Sequence, residues 1–326
     1  MVKAITSVAS GERGAAAWSQ RLRALLDIRY LSVLTVLCTY ALIVLGATVR
    51  VTDSGLACPD WPRCHGQIIP PMETKVWIEF SHRLAAMSVG FMIAGLAASV
   101  WLWHREKRAV VVTVTLAVAV LIVQVLLGGA TVNMELPETI VALHLATALV
   151  LLTLLILTSV LAISWWRVAV RAEDARLSFG PFAALLAAAA AATFALILIG
   201  SYVANSGASL VYPDWPLFDG KLTSAGGRLA DLHYAHRLMA AGVGLLLGVA
   251  LVQAWRERVG AVQWVMAGAL ALFTAEVFVG ASNIWLDMPE EVRIAHLALA
   301  AAVWSLLVLA GARYFVESAL GEARVS

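Results

Sequence analysis

The sequence predicts an all-α integral membrane protein of eight transmembrane helices, built as two four-helix repeats with both termini cytoplasmic. Three observations carry this prediction. Of 326 residues, 61% are hydrophobic and 13% charged, and the mean hydropathy is +0.86, which excludes an ordinary soluble globular chain. Apolar runs of about 20 residues, enough to cross a ~30 Å hydrocarbon core as helix, recur along the chain. A block of motifs is also written twice. Pro59-Asp60-Trp61-Pro62, Gly66 and His82-Arg83-Leu84 return 154 residues later as Pro213-Asp214-Trp215-Pro216, Gly220 and His236-Arg237-Leu238. Gly128, Pro137-Glu138 and His144 return 152 residues later as Gly280, Pro289-Glu290 and His296. A repeat of this kind sets the architecture.

The apolar runs place spans at roughly 31–49, 76–103, 109–132, 139–163, 182–204, 229–254, 261–284 and 292–315. Residues 1–29 are polar and basic, with no apolar core, and no small-residue cleavage site follows, so the first span is expected to be retained. Lys and Arg fix the orientation. Arg21, Arg23 and Arg29 precede the first span; Arg105, Lys107 and Arg108 lie between spans two and three. Arg167, Arg171 and Arg176 lie between spans four and five, Arg256 and Arg258 between six and seven, and Arg313 and Arg324 after the eighth. With eight spans all of these fall on one side, which makes it the cytoplasmic one. The opposite loops carry the Pro-Asp-Trp-Pro turns. Four spans per repeat is an even number, so the repeats run parallel about an axis along the membrane normal. The expected organisation is a cytoplasmic segment at 1–29, a first repeat at 30–164, a linker at 165–181, a second repeat at 182–316 and a tail at 317–326. Net charge of +2 points to no nucleic-acid partner; the lipid bilayer is the partner that the composition demands.

The repeat isolates four of the seven histidines, one pair per half. His82, His144, His236 and His296 sit one or two turns into spans two, four, six and eight. Ionisable residues inside membrane helices are costly, and are functional candidates for that reason. A neutral imidazole on each of two facing helices can ligate one iron from both faces, as helical bundles hold haem. A lone membrane histidine is as readily a hydrogen-bonded packing residue; four at duplicated positions favour ligation. Zinc is disfavoured, because no Cys or carboxylate repeats alongside them. His65 becomes Asp219 in the second copy, and His104 belongs to a basic cytoplasmic cluster; neither is a ligand candidate.

Differences between the halves suggest a division of labour. Glu79 stands where His233 stands in the second copy, three residues before the histidine of each motif. On that spacing it is expected to project toward the same cavity as His82. A carboxylate in a membrane bundle must be paired, protonated or used, with snorkelling to the interface as the bland reading. Arg50, replaced by Ala204, also belongs to the first half alone and is a candidate for propionate or substrate contact. Arg83 and Arg237 do repeat; each suits a haem propionate or a lipid headgroup. Gln124 and Glu276 correspond and are assigned to packing or hydrogen bonding, and Gly128, Gly129 and Gly280 to close helix approach. Cys38 reads as a small buried residue. Cys58 and Cys64 bracket two prolines in a loop on the non-cytoplasmic side, which favours a disulfide, either a staple or a redox-active pair.

The stretch Gly46-Ala-Thr-Val-Arg50-Val-Thr-Asp-Ser-Gly-Leu-Ala-Cys58-Pro-Asp-Trp-Pro-Arg-Cys64-His-Gly, followed by Glu79-Phe-Ser-His82-Arg83, resembles the haem A synthase family, in the branch that carries a cysteine pair. The resemblance covers nearly the whole membrane region, including the weaker second copy. It implies oxidation of the C8 methyl of haem O, through hydroxymethyl, to the formyl of haem A. It further implies that His82 and His144 hold the substrate haem O, and that His236 and His296 ligate a haem b cofactor. Glu79 matches the acidic residue needed for turnover, and Cys58 with Cys64 matches the loop disulfide. Expected partners are haem O synthase, an electron-transfer partner and cytochrome oxidase assembly factors, at the cell inner membrane with both haem sites toward its outer face. Two other classes fit the duplicated histidines: a bis-histidine cytochrome b for electron transfer, and a haem O carrier or oxidase-assembly factor. The first-half-only Glu79, Arg50 and cysteine pair argue for the enzyme.

Overall fold

The computed structural model describes residues 27–169, 180–257 and 259–322, apart from the side chains of residues 165–169 and 319–322. The sequence assignments on residues 1–26, 170–179, 258 and 323–326, including Arg21, Arg23, Arg171, Arg176, Arg258 and Arg324, lie outside the described residues. The described chain is all helix: α1 (Ile28–Val51), α2 (Thr74–Trp103), α3 (Arg108–Asn133), α4 (Glu138–Ala169), α5 (Pro181–Asn205), α6 (Arg228–Arg256), α7 (Val262–Trp285) and α8 (Glu290–Glu322), with a single 3₁₀ turn at Ala208–Leu210. All eight helices are long and apolar enough to cross a membrane, and the protein is a multi-pass membrane protein.

The helix ends differ from the apolar runs for local reasons. Asp27 caps α1, its carboxylate accepting the Arg29 N–H at 3.0 Å, so the helix begins before the apolar run and takes in Arg29. Helix α4 continues through Ala169, five residues into the stretch assigned to the linker, and α8 runs to Glu322, beyond the start of the assigned tail. No proline interrupts either extension. Helix α5 starts where Gly180 and Pro181 meet, the proline occupying a first-turn position whose missing N–H costs nothing.

Helices α1, α2, α3 and α4 close a ring by successive contacts, α4 returning to α1, and α5, α6, α7 and α8 do the same. Each ring has its own apolar core. Ile93, Leu96 and Val114 fill the first; Leu247, Met266 and Leu307 fill the second. The rings meet where α4 and α1 pack on α8 and α4 packs on α5. That seam buries Leu149, Leu152 and Trp304, and the Trp304 indole N–H donates to the Leu149 carbonyl at 3.2 Å.

The duplicated motifs take duplicated conformations. In the first loop His65 and Gly66 have φ of 55° and 67°, between the bridged residues Cys64 and Gln67; in the second, Asp219 and Gly220 have φ of 57° and 72°, between Phe218 and Lys221. Two successive left-handed residues are the requirement of a tight hairpin turn, which glycine meets without steric cost. The preceding aspartate holds the turn. Asp60 accepts the His65 and Gly66 N–H groups at 2.5 and 2.8 Å, and Asp214 accepts those of Asp219 and Gly220 at 2.7 and 2.9 Å. At the next corner Glu135-Leu136 and Asp287-Met288 are again left-handed pairs, each followed by the proline that stops the preceding helix from continuing.

These N–H donors, Gly66 first for Asp60 and Gly220 first for Asp214, hold both carboxyls below their ordinary value of 3.8. A lowered native pKa stabilises the loops above the ordinary value, and that stabilisation is lost as the pH falls from 3.8 through the native value. Protection of the amides of residues 64–67 and 218–221, relative to their intrinsic exchange rates at the same pH, is therefore expected to hold down to pH 3.8 and to fall below it. Asn in place of Asp60 should produce that loss of protection in the first loop at neutral pH; unchanged protection in that variant contradicts the assignment.

Candidate functional site

His82 and His236 occupy the ninth position of α2 and α6, and His144 and His296 the seventh position of α4 and α8. All four imidazoles are half-buried and present the same arrangement. Each packs its Cε1 edge against a glycine of the preceding helix: His82 on Gly46, His144 on Gly128, His236 on Gly200 and His296 on Gly280. A Cβ at these glycines would lie 3.2, 3.2, 2.9 and 3.0 Å from the ring in that order. Contacts under 3.0 Å are essentially unknown for real Cβ atoms, so Gly200 cannot carry one without the ring shifting, and at the other three the ring would have to give by a few tenths of an ångström. The Nδ1 atom of every one of the four is buried with no hydrogen-bond partner. His82 and His144 lie within electrostatic range of one another, as do His236 and His296.

Orphaned imidazole nitrogens in an apolar bundle are costly, and four at equivalent places call for a ligand. Among the described residues no group of three or more His, Cys, Asp or Glu side chains could hold a metal ion. Two imidazoles per ring fit axial ligation of a planar iron macrocycle and not a zinc polyhedron.

Above the first pair lies a loop clamp. Cys58 and Cys64 are joined in a disulfide with Cα atoms 4.7 Å apart, and both are fully buried. Glu79, 3% exposed, is bound at both oxygens: Oε2 accepts the Cys58 N–H of this loop at 2.7 Å, and Oε1 accepts from Arg83 of its own helix at 2.5 Å. One carboxylate oxygen is thus tied to the loop backbone and the other to the next turn of α2. Arg83 spends its two terminal nitrogens on the loop as well, donating to the carbonyls of Asp60 at 2.6 Å, Arg63 at 2.5 Å and Cys58 at 2.9 Å. The guanidinium compensates a charge whose isolated burial would be prohibitive.

The second half repeats the clamp with different chemistry. Tyr212 and Phe218 replace the two cysteines and meet edge to face, with centroids 5.1 Å apart. His233, 5% exposed, replaces Glu79 and accepts from Arg237 Nε at 2.9 Å. Arg237 donates to the carbonyls of Asp214 and Leu217, at 2.8 Å each, and its guanidinium carbon lies 5.1 Å from the Phe218 ring centre. An ion pair under a disulfide thus faces an uncharged imidazole under an aromatic pair.

Arg50 reaches across the seam, its Nε donating to Asn205 at 2.7 Å, with Asp53 at 3.6 Å. His65 Nε2 donates to the Ala57 carbonyl, 2.9 Å away, outside the histidine pairs, and His104 lies beyond the end of α2, 3.8 Å from Glu106. Two sets of functional side chains were undervalued by sequence reasoning. Gly46 and Gly200 stand 36 residues before their histidines, and Gly128 and Gly280 stand 16 before theirs; that constant spacing is the signal of a seat. Gln124 and Glu276 touch ligand candidates directly. Gln124 lies 3.3 Å from His144 Nε2 and accepts from the Thr147 hydroxyl, while Glu276 Oε1 lies 3.0 Å from His296 Nδ1.

Fold and site together define a class: a polytopic membrane protein with one buried histidine pair in each of two four-helix rings. The cytochrome oxidase assembly protein family, COX15-CtaA, matches residues 29–308, and the chain belongs to that family. It is 27% identical to the haem A synthase of Alkalihalophilus pseudofirmus over 86% of this chain and 95% of that protein. It is 31% identical to the haem A synthase of Halalkalibacterium halodurans, over 65% of this chain and 71% of that protein. Against that of Geobacillus thermodenitrificans it is 29% identical, over 80% and 83%.

Alanine at Gly200 should displace His236 and lower the haem-to-protein ratio, with affinity reduced about tenfold or more, the usual cost of disturbing a ligand's support. Gly90, with nothing within 4 Å of an added Cβ, is the control expected to tolerate alanine. Equal haem content in both variants, measured by pyridine haemochrome, contradicts the seat assignment.

Proposed function

We propose that the chain is a haem A synthase: an inner-membrane oxidoreductase that converts the C8 methyl of haem O to the formyl of haem A by two hydroxylations and loss of water, supplying a cofactor of cytochrome oxidase. The reading rests on family membership, on relatives that carry this name over most of their length, and above all on one observation. The two rings repeat their histidine seats yet differ beside them, with a carboxylate–arginine ion pair in one and an imidazole–arginine pair without a carboxylate in the other. A relay cytochrome has no evident use for that difference, whereas an enzyme with a substrate half and a cofactor half does.

In this reading His82 and His144 hold the haem O substrate, and His236 and His296 hold haem b. The donor set fits: paired imidazoles, orphaned nitrogens and bare glycines that leave each ring room. Haem b, when bound, supplies one-electron chemistry to the second half. Both sites lie at the end bearing the Pro-Asp-Trp-Pro loops, which the Lys and Arg distribution assigns to the outer face, with the termini cytoplasmic.

Glu79 is the acid–base candidate of the first half. Each of its oxygens accepts one hydrogen bond and keeps a further acceptor direction, so either can take a proton released as the methyl carbon is oxidised. Arg83 and the Cys58 N–H fix the carboxylate against rotation, and the disulfide closes the loop that supplies that N–H. Trp61 of the same loop packs on Gly129, where an added Cβ would meet its ring at 3.1 Å, and so covers the first ring from the loop side. Arg83 and Arg237 anchor their loops, and Arg50 ties the halves together; propionate contact by any of them uses donors left over from these bonds.

Membranes co-expressing the chain with a haem O synthase should contain hydroxylated and formyl haems on extraction and mass-resolved chromatography. Glu79→Gln should keep its bound haem and lose turnover by about 10²-fold or more, the usual range for a proton-transferring group. Unmodified haem O as the sole product of the unaltered chain would favour a carrier or a cytochrome.

A further inference from the structure

The two rings differ at one further position, and the difference touches a ligand candidate. Gln124 of α3 and Glu276 of α7 are equivalent, four residues before the glycine seats of His144 and His296. In the first ring the neutral amide is held from two sides, by the Thr147 hydroxyl and by His144 Nε2 at 3.3 Å. In the second ring Leu299 stands where Thr147 would be, so that hydroxyl is missing. Glu276 is 8% exposed, its Oε2 is buried with no partner, and its Oε1 lies 3.0 Å from His296 Nδ1. This contact is within ion-pair distance but lacks hydrogen-bond alignment. It leaves Nε2, the opposite ring nitrogen, free to face an iron.

We propose that Glu276 is a positioning residue that turns His296 into a strongly donating axial ligand and so holds the second-half haem at a lower midpoint potential than neutral imidazole ligation gives. The inference rests on the reading that His236 and His296 ligate haem b. The physics is that of an outer partner of a ligating histidine. A carboxylate 3.0 Å from Nδ1 needs only a small turn of the ring to accept its N–H, and such a partner fixes the tautomer, orients the ring and raises ligand basicity. A more basic ligand favours ferric over ferrous iron, and in a dry apolar bundle little solvent screens the effect. Gln124 offers His144 a neutral dipole at the other nitrogen, so the first ring has no such charge. The asymmetry makes the second-half iron the better electron donor of the two.

The test is a spectroelectrochemical titration of the purified, haem-loaded full-length protein. Glu276→Gln should raise the midpoint of the second-half haem by about 59 mV or more, a tenfold change in its ferric-to-ferrous equilibrium, and leave the first-half midpoint in place. Glu276→Asp keeps the carboxylate and should restore most of the low value. Gln124→Glu should lower the first-half midpoint, which keeps the idea testable if Glu276→Gln does not retain its haem. Unmoved midpoints in Glu276→Gln, or in Gln124→Glu where the former loses haem, overturn the proposal, as do equal shifts in Gln and Asp. A preparation whose His236 and His296 carry no haem at all would instead sink the ligation reading beneath it.

Discussion

An imidazole inside an apolar four-helix ring needs a partner for both nitrogens or a ligand to take one of them, and the rest of this molecule is arranged around meeting that need four times. The rings are closed so that even-numbered helices bring two histidines within electrostatic range. The glycines of odd-numbered helices are bare where a methyl group would strike the ring. Loops at one end are pinned by an aspartate and by an arginine from the histidine's own turn, which locks the start of α2 and α6 to the hairpin above. Each feature exists in two copies because each ring faces the same problem.

Function enters where the copies part. In the first ring a fully buried carboxylate, an arginine and a disulfide-closed loop form one bonded unit directly above His82. In the second, imidazole, arginine and two aromatic rings fill the equivalent volume with no carboxylate. A buried carboxylate reappears in the second ring beside His296, where the first has an amide. On the proposed reading, acid–base capacity belongs to the half that would hold the substrate, and electronic tuning to the half that would hold the cofactor. That division is what a substrate site fed by a redox cofactor requires.

Much of this was legible in the chain. Apolar run length located all eight helices, and the 154- and 152-residue offsets picked out the four histidines without any coordinates. The cysteine pair was legible from its place in a proline-bearing loop. What spacing could not give is direction. Glu79 lies three residues before His82 on one helix face, yet its side chain runs up to the loop, because a buried carboxylate goes where N–H donors and a guanidinium await it. Nothing in the sequence singles out Gly46 and Gly200 by themselves, since a glycine's role as a seat depends on a ring from another helix. Helices α4 and α8 run on past the apolar spans because hydropathy marks where the lipid ends, while a helix continues until a breaker or a lost cap stops it.

The central claim is that each ring holds one haem between its own two histidines. Low-temperature EPR of the haem-loaded protein and its four single His→Ala variants tests this most directly. The account predicts two low-spin ferric signals in the unaltered protein. His82→Ala and His144→Ala should abolish the same one, and His236→Ala and His296→Ala should abolish the other. A single signal altered by all four variants, or a variant in one ring that removes the signal of the opposite ring, would contradict it.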